Sequence, residues 1–225
     1  MALLGKAAVA MWWHIAPEHR EEFLDWHTHE HQPERMGIAG FNRGSRWTST
    51  TDATGFFVMY ELADRATLTG TAYMQRLNNP SPWSVKLMPH HRQMVRSLAD
   101  VTFSAGAGIA RGALTVRLSP QEGRAAELRA FLWETLAKLV AQRGVSGAHL
   151  LETAAVTQAG MTEEQKIRGG DGTADWVVLV VGYDGAALAE LGRTSLGADV
   201  LTRAGAMPSH QSASFDLSAT LSGAE

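Results

Sequence analysis

Six consecutive residues, Trp26-His27-Thr28-His29-Glu30-His31, hold the densest set of proton-moving groups in this chain. Two imidazoles at i and i+4 beside a carboxylate suit acid/base work, because the carboxylate fixes a tautomer and raises basicity near neutral pH. On a helix turning about 100° per residue, Trp26, His27, Glu30 and His31 fall within roughly 80° of Phe23, whereas His29 points to the far side. His31, His27 and Glu30 are therefore expected to share a buried face as an acid/base group, with Trp26 beside them against substrate. The structural alternative is that these groups cap the negative end of a helix as partly solvated cations. The same residues also read H-x-x-E-H, a zinc-protease pattern in which His27 and His31 would ligate and Glu30 act as base. Pro33 should end such a helix at once and no third ligand follows at a readable spacing, so no metal is expected. A divalent site drawing on His14, His90 or His91 is kept as an alternative.

Further candidates lie on strand-like segments. His14 closes the segment 7–15 and by alternation shares a face with Trp12 and Ala10. If that face looks toward the helices, His14 meets the same pocket. Tyr60 could orient a substrate carbonyl, while Trp47 and Arg43, alternating on one strand, could supply an aromatic wall and an anion contact. Trp83 should pin its loop. His90 and His91, after Pro89, could reach a cavity rim, and the echo of His91 in His210 points to a structural role.

Composition narrows the function classes. The 225 residues include 45% hydrophobic ones and carry a formal charge of -3, so clustered Lys and Arg for a phosphate backbone or anionic membrane are missing. No nucleic-acid or membrane partner is expected; a small-molecule substrate is, with a homodimer of the whole chain as a further possibility. The absence of cysteine removes disulfides, thiolate nucleophiles and iron–sulfur ligation and fits the cytoplasm. The first ten residues lack the pattern of a signal peptide. Gly106 to Gly112 lacks the spacing of a phosphate loop.

The elements that must position these groups form a repeat. Ile15-Ala16-Pro17-Glu18 is echoed by Leu118-Ser119-Pro120-Gln121, Gly37-Ile38-Ala39-Gly40 by Gly144-Val145-Ser146-Gly147, and Met88-Pro89-His90-His91 by Met207-Pro208-Ser209-His210. Periodicity predicts strand 7–15, a helix ending near Gln32 before Pro33, strands 41–49 and 55–62, helix 65–78, a Pro-rich stretch, and a strand near 95–104. The second copy repeats this as strand 112–118, helix 122–142, strands 147–154 and 175–183, helix 186–203 and strand 211–220. Residues 157–173 read as a mobile loop. The chain is thus expected to be α+β, with two ferredoxin-like βαββαβ units, 1–106 and 107–225, pairing sheet to sheet. Seven of nine histidines and five of seven tryptophans fall in the first unit, which makes it the expected site-bearing half and the second the scaffold.

Phe23, Trp26, Glu30-His31-Gln32-Pro33-Glu34-Arg35, Gly40-Phe41, Tyr60-Glu61-Leu62, Ala72-Tyr73, Asn79-Pro80-Ser81-Pro82-Trp83 and Met88-Pro89-His90 together resemble the dimeric α/β-barrel superfamily, in particular its EthD-like members. The resemblance covers most of residues 8–104; the second half shares only the order of elements. It implies a pocket between sheet and helices, with His31 at the position of the family's histidine before proline. It also implies cofactor-free cyclase, isomerase, decarboxylase or monooxygenase chemistry, with haem-binding branches as the alternative. The expected function is a cofactor-independent, isomerase- or lyase-type enzyme acting on a small aromatic or apolar metabolite by His-based acid/base chemistry. A non-catalytic small-molecule binder is the third possibility, in which case tryptophans would fill the cavity.

Overall fold

The computed structural model describes residues 3–153 and 160–223. The strands are β1 (Ala7–Ile15), β2 (Phe41–Ser49), β3 (Gly55–Leu62), β4 (His91–Gly106), β5 (Gly112–Leu118), β6 (Val145–Thr153), β7 (Trp176–Gly182) and β8 (Gln211–Ser222). The helices are α1 (Arg20–Trp26), α2 (Gln32–Met36), α3 (Thr71–Asn78), α4 (Pro82–Leu87), α5 (Ala125–Leu139), α6 (Glu163–Arg168), α7 (Gly185–Arg193) and α8 (Ala198–Arg203), with a π-helical turn, His27–His31, between α1 and α2. None is long and apolar enough to cross a membrane.

The strands close a barrel in the order β1-β3-β2-β8-β5-β7-β6-β4. Within each half this gives the ferredoxin-like order, β4-β1-β3-β2 and β8-β5-β7-β6. The halves meet edge to edge, through an antiparallel ladder of β2 on β8 from Arg43↔Ser222 to Ser49↔Phe215 and one of β4 on β6 from Ala99↔Thr153 to Gly106↔Gly147. Closure leaves no strand edge unpaired and turns the face away from the helices of both sheets inward.

Each sheet is therefore buried on both faces, which is why β1, β3 and β7 read as near-continuous apolar runs rather than alternating ones. Trp12, Trp47, Phe57 and Phe215 fill the barrel, with Trp12 and Trp47 stacked on Phe57 at centroid distances of 5.0 and 5.1 Å. Burying one such indole stabilises by roughly 4 kcal/mol. A second core lies between the first sheet and its helices, a third between the second sheet and its own.

The duplication is visible in the backbone. Gly40 and Gly144 precede β2 and β6 with φ of 91° and 90°, and a Cβ would meet Thr67 Oγ1 at 2.6 Å or Ala187 Cβ at 2.7 Å. The equivalent glycines are thus Gly40 and Gly144, three residues away from the pairing that the GxxG motifs suggest.

Several elements depart from expectation. The first helix does not stop at Gln32 but continues to Met36, with Pro33 in the first turn of α2, where a missing N–H costs little. The helix expected over 65–78 is broken by Gly70 into a short 3-10 turn and α3. The Pro-rich stretch forms α4, capped by Ser81 Oγ on the Ser84 N–H with Pro82 in its first turn. Gly197 divides the helix expected over 186–203 into α7 and α8. Residues 157–159 lie outside the described residues, but the remainder of the expected loop contains α6, begun by a capping box between Thr162 and Gln165 and ended by Gly169 at φ 83°.

Candidate functional site

The π turn is the local feature from which the site grows. The Gln32 N–H donates to the carbonyl of His27, five residues back instead of four. Such a widened turn is rare and recurs at functional sites. His27 and His31 both enter the space beneath the helices, their ring centroids 5.7 Å apart, with Trp26 lying 4.4 Å from the His31 ring. Glu30 departs from the shared face that regular helical spacing gives it. Its carboxylate accepts from Trp26 Nε1 at 3.2 Å and from Ser81 Oγ, tying the turn to α4 instead of flanking the imidazoles.

A cavity of about 30 Å³ lies between this turn, β1, β3, β4 and α6. Trp13, Trp26, His27, His31, Arg35 and Tyr60 all line it. Five buried polar atoms on these walls have no hydrogen-bond partner among the described residues: Trp13 Nε1, His27 Nδ1, His31 Nδ1, Arg35 Nη1 and Tyr60 OH. Leaving each unpaired costs about 1–3 kcal/mol, so five together at one cavity mark a place built for something other than folding. Burial, then the charges of Arg46, His91 and Arg35, holds His27 well below the ordinary imidazole range. Burial and then Arg35 do the same to His31, while burial raises the Tyr60 phenol. At neutral pH the cavity therefore presents two neutral imidazoles and a neutral phenol.

One wall comes from the second half. Glu164 on α6 accepts from Arg35 Nη2 and lies 3.5 Å from Arg168, which also meets Asp171 at 2.9 Å. Opposite them Arg96 donates to Tyr73 OH at 2.7 Å. Glu164, Arg168 and Asp171 were not expected at the site, because their segment reads as a loop. The signal that reveals them is Thr162-Glu163-Glu164-Gln165, a capping-box sequence followed by a helix-ending glycine.

Tyr60 and Trp26 are thus brought to the histidines, and three other candidates are not. His14 does share the face of Trp12 and Ala10, but that face looks into the barrel, so His14 sits at its mouth, exposed, with Nδ1 3.0 Å from Asp52. Trp47 is packed inside the barrel. Arg43 spends both arms on Glu61, at 2.7 and 2.8 Å, inside the barrel's other end. His90 stacks on His19 at 3.6 Å near the surface. His91 is buried behind Trp13, 3.3 and 3.2 Å from the carbonyls of Leu87 and Met88, and burial pushes it down to about 3. Trp83 is tied to Glu22 at 3.1 Å. Among the described residues no three His, Cys, Asp or Glu side chains are grouped as metal ligands. A wider groove of about 830 Å³ between α7, β5 and β8 has no histidine on its walls and none of the unpartnered atoms.

No family model and no curated protein matches this sequence. Solved structures do match it over its full length. An anthrone oxidase-like protein is similar with a TM-score of 0.69 at 12% identity, covering 100% of this chain and 97% of that one. A protein provisionally assigned as a monooxygenase, from Fusobacterium nucleatum subsp. nucleatum, gives 0.64 at 10% identity, covering 98% and 96%. Another, provisionally assigned as a chlorite dismutase, gives 0.57 at 9%, covering 95% of each chain. The expected dimeric α/β-barrel fold is therefore what this chain has, built from two units in one polypeptide. At these identities the likeness is one of fold. The narrower resemblance to EthD-like members rests on the sequence motifs alone.

Proposed function

We propose that this protein is an enzyme that removes a proton from a small aromatic or otherwise apolar metabolite without a bound cofactor, using His31 as base with His27 beside it. The observation that carries this reading is the convergence of five unpartnered buried polar atoms on the cavity under the π turn. His31 Nδ1, free of any partner, takes a proton from the carbon or oxygen acid of the substrate. Tyr60 OH and Arg35 Nη1 donate to the oxygen on which negative charge develops, where preorganised donors in a dry site act most strongly. Arg35 makes His31 a weaker base, and by donating to the substrate oxygen it also makes the substrate a stronger acid. The anion so formed is the common branch point of isomerase-, cyclase- and lyase-type outcomes and of oxidation by dioxygen, and a decarboxylase-type outcome reaches the same kind of anion by loss of CO2 and then takes a proton. Similarity in fold to oxidase-like and monooxygenase-type proteins supports an enzyme of this kind.

Haem, the alternative drawn from the superfamily, does not fit these residues. About 30 Å³ is open beside the free nitrogens of His27 and His31, so a single small aromatic enters only as α6 moves aside, and a much larger porphyrin would also have to part the first sheet from its helices. Helices and sheet are packed ring to ring there, with centroid distances of 4.4 Å from Trp26 to His31 and 4.7 Å from Phe23 to Phe56. No step is assigned to it.

Solvent deuterium exchange tests the proposal. Enolisable aromatic ketones, incubated with the protein in D2O and followed by NMR, should exchange the hydrogens on the carbon beside the carbonyl faster than buffer alone allows. H31N should lower that rate about 10²- to 10⁴-fold, the usual contribution of a positioned base. Exchange at the unaltered rate in H31N would remove His31 from the role.

A further inference from the structure

The free atoms around the cavity specify a ligand more narrowly than proton transfer requires. Trp13 Nε1 and Arg35 Nη1 can only donate, and the two histidine Nδ1 atoms and Tyr60 OH can each donate in one tautomer or rotamer. A ligand that satisfies the two obligate donors must bring acceptors, hence oxygens. The charge around them adds a sign. Arg35, Arg96 and Arg168 face Glu164 and Asp171, three cations against two carboxylates, and Arg96 is hydrogen-bonded to the Tyr73 hydroxyl.

One of those carboxylates arrives in an unusual way. Glu164 is reached only because α6 lays it across Arg35 from the other half of the chain, and it is the one residue of that helix buried throughout. Otherwise α6 is held largely by polar ties: the Glu163 N–H to Asn78 Oδ1 at 3.3 Å, and Gly172 to the backbones of Met94 and Arg96 at 2.8 and 2.9 Å. Ile167 adds a partly buried apolar contact. A buried ion pair gives little net stability over an apolar pair of the same volume, so this one is weakly explained by folding. The cavity it closes has room for a water or two.

We infer that Glu164 holds the place of a substrate carboxylate: the protein binds small aromatic acids, whose carboxylate replaces Glu164 on Arg35 while the ring enters between Trp13, Trp26 and Tyr73. This deepens the proposed function and rests on the same cavity. An incoming carboxylate exchanges one ion pair on Arg35 for another and releases α6 outward. An uncharged analogue of the same shape has nothing to offer Arg35 in return.

Calorimetric titration with 2-naphthoate and its uncharged isostere 2-naphthamide tests the inference. The unaltered protein should bind the acid at least tenfold more tightly than the amide. E164Q should bind the acid at least tenfold more tightly again, and R35Q should lose the preference. H31N should keep the preference for acid over amide while losing deuterium exchange. If H31N keeps both binding and deuterium exchange, the base assignment fails and the anion site stands. Equal binding of acid and amide, or no gain in a natively folded E164Q, would overturn the anion site and leave the base untouched. Should E164Q not fold, the acid-to-amide ratio of the unaltered protein and its collapse in R35Q decide the question.

Discussion

Burial keeps His27, His31 and His91 neutral, and that has a consequence for stability separate from any chemistry. In the unfolded chain each imidazole takes up a proton below its ordinary pKa of 6.5, while the folded protein holds all three lower, His91 down to about 3. The unfolded state then binds more protons, so stability is full above 6.5 and falls as the pH drops toward the folded values. Each histidine adds a slope of about 1.4 kcal/mol per pH unit in that window. Urea unfolding between pH 6 and 5 should therefore show a dependence shallower by about that amount in H91N, a residue outside the proposed chemistry. An unchanged slope would mean that His91 is protonated in the folded protein. At this scale the sequence was readable where residue type and helix face sufficed, as for His27, His31 and Trp26. It was not readable where the partner was remote in sequence. Arg43 is drawn away by Glu61, 18 residues on, and Glu30 by Ser81, 51 residues on. Neither bond leaves a trace in local spacing.

Among the elements, strand positions were legible: 7–15 and 55–62 are the plain apolar runs of strands buried on two faces, and they, 41–49 and 112–118 are found at their expected bounds. Helix ends were less so, and Pro33 shows why. A proline inside a regular helix removes an i to i−4 bond and clashes with the preceding turn, which makes it a stop signal. Here the preceding turn is π-helical, so Pro33 falls in the first turn of a new segment and the chain runs on to Met36. Pro33 lacks the N–H that would let one continuous α-helix form, and so favours the wide turn that aims His27 and His31 into the cavity. P33A restores that N–H. Stability is expected to stay within about 1 kcal/mol of the parent, since proline costs little in a first turn. Deuterium exchange should nevertheless fall at least tenfold as the turn relaxes and His31 rotates. Urea unfolding and exchange rates measured on the same preparation separate the two effects; a P33A protein with unaltered exchange would show that packing, not Pro33, holds the turn.

For the whole molecule, duplication explains both the asymmetry and its limit. Histidines and tryptophans gather in the first half, yet Glu164 and Arg168 reach its cavity from the second. Each half on its own would leave β2 and β4, or β6 and β8, as open edges and would expose the apolar face that Trp12, Trp47, Phe57 and Phe215 now fill. The chain between Gly106 and Gly112 supplies proximity more than structure: it joins β4 to β5, which are not neighbours in the barrel. We propose the unit boundary there, at residues 106 and 107. Cutting the chain in this segment and co-expressing the two pieces should give one complex of 1:1 composition that elutes at the size of the intact protein. The β2–β8 and β4–β6 ladders, which carry the association, remain whole. What is lost is effective concentration, in the millimolar range for a short linker, so the split complex should dissociate on dilution while the intact chain does not. The first piece expressed alone should self-associate or precipitate, having two free edges and half of a barrel core to cover. If it were instead a stable monomer, the two units would be independent domains, and Glu164 would be a visitor to a site able to form without it.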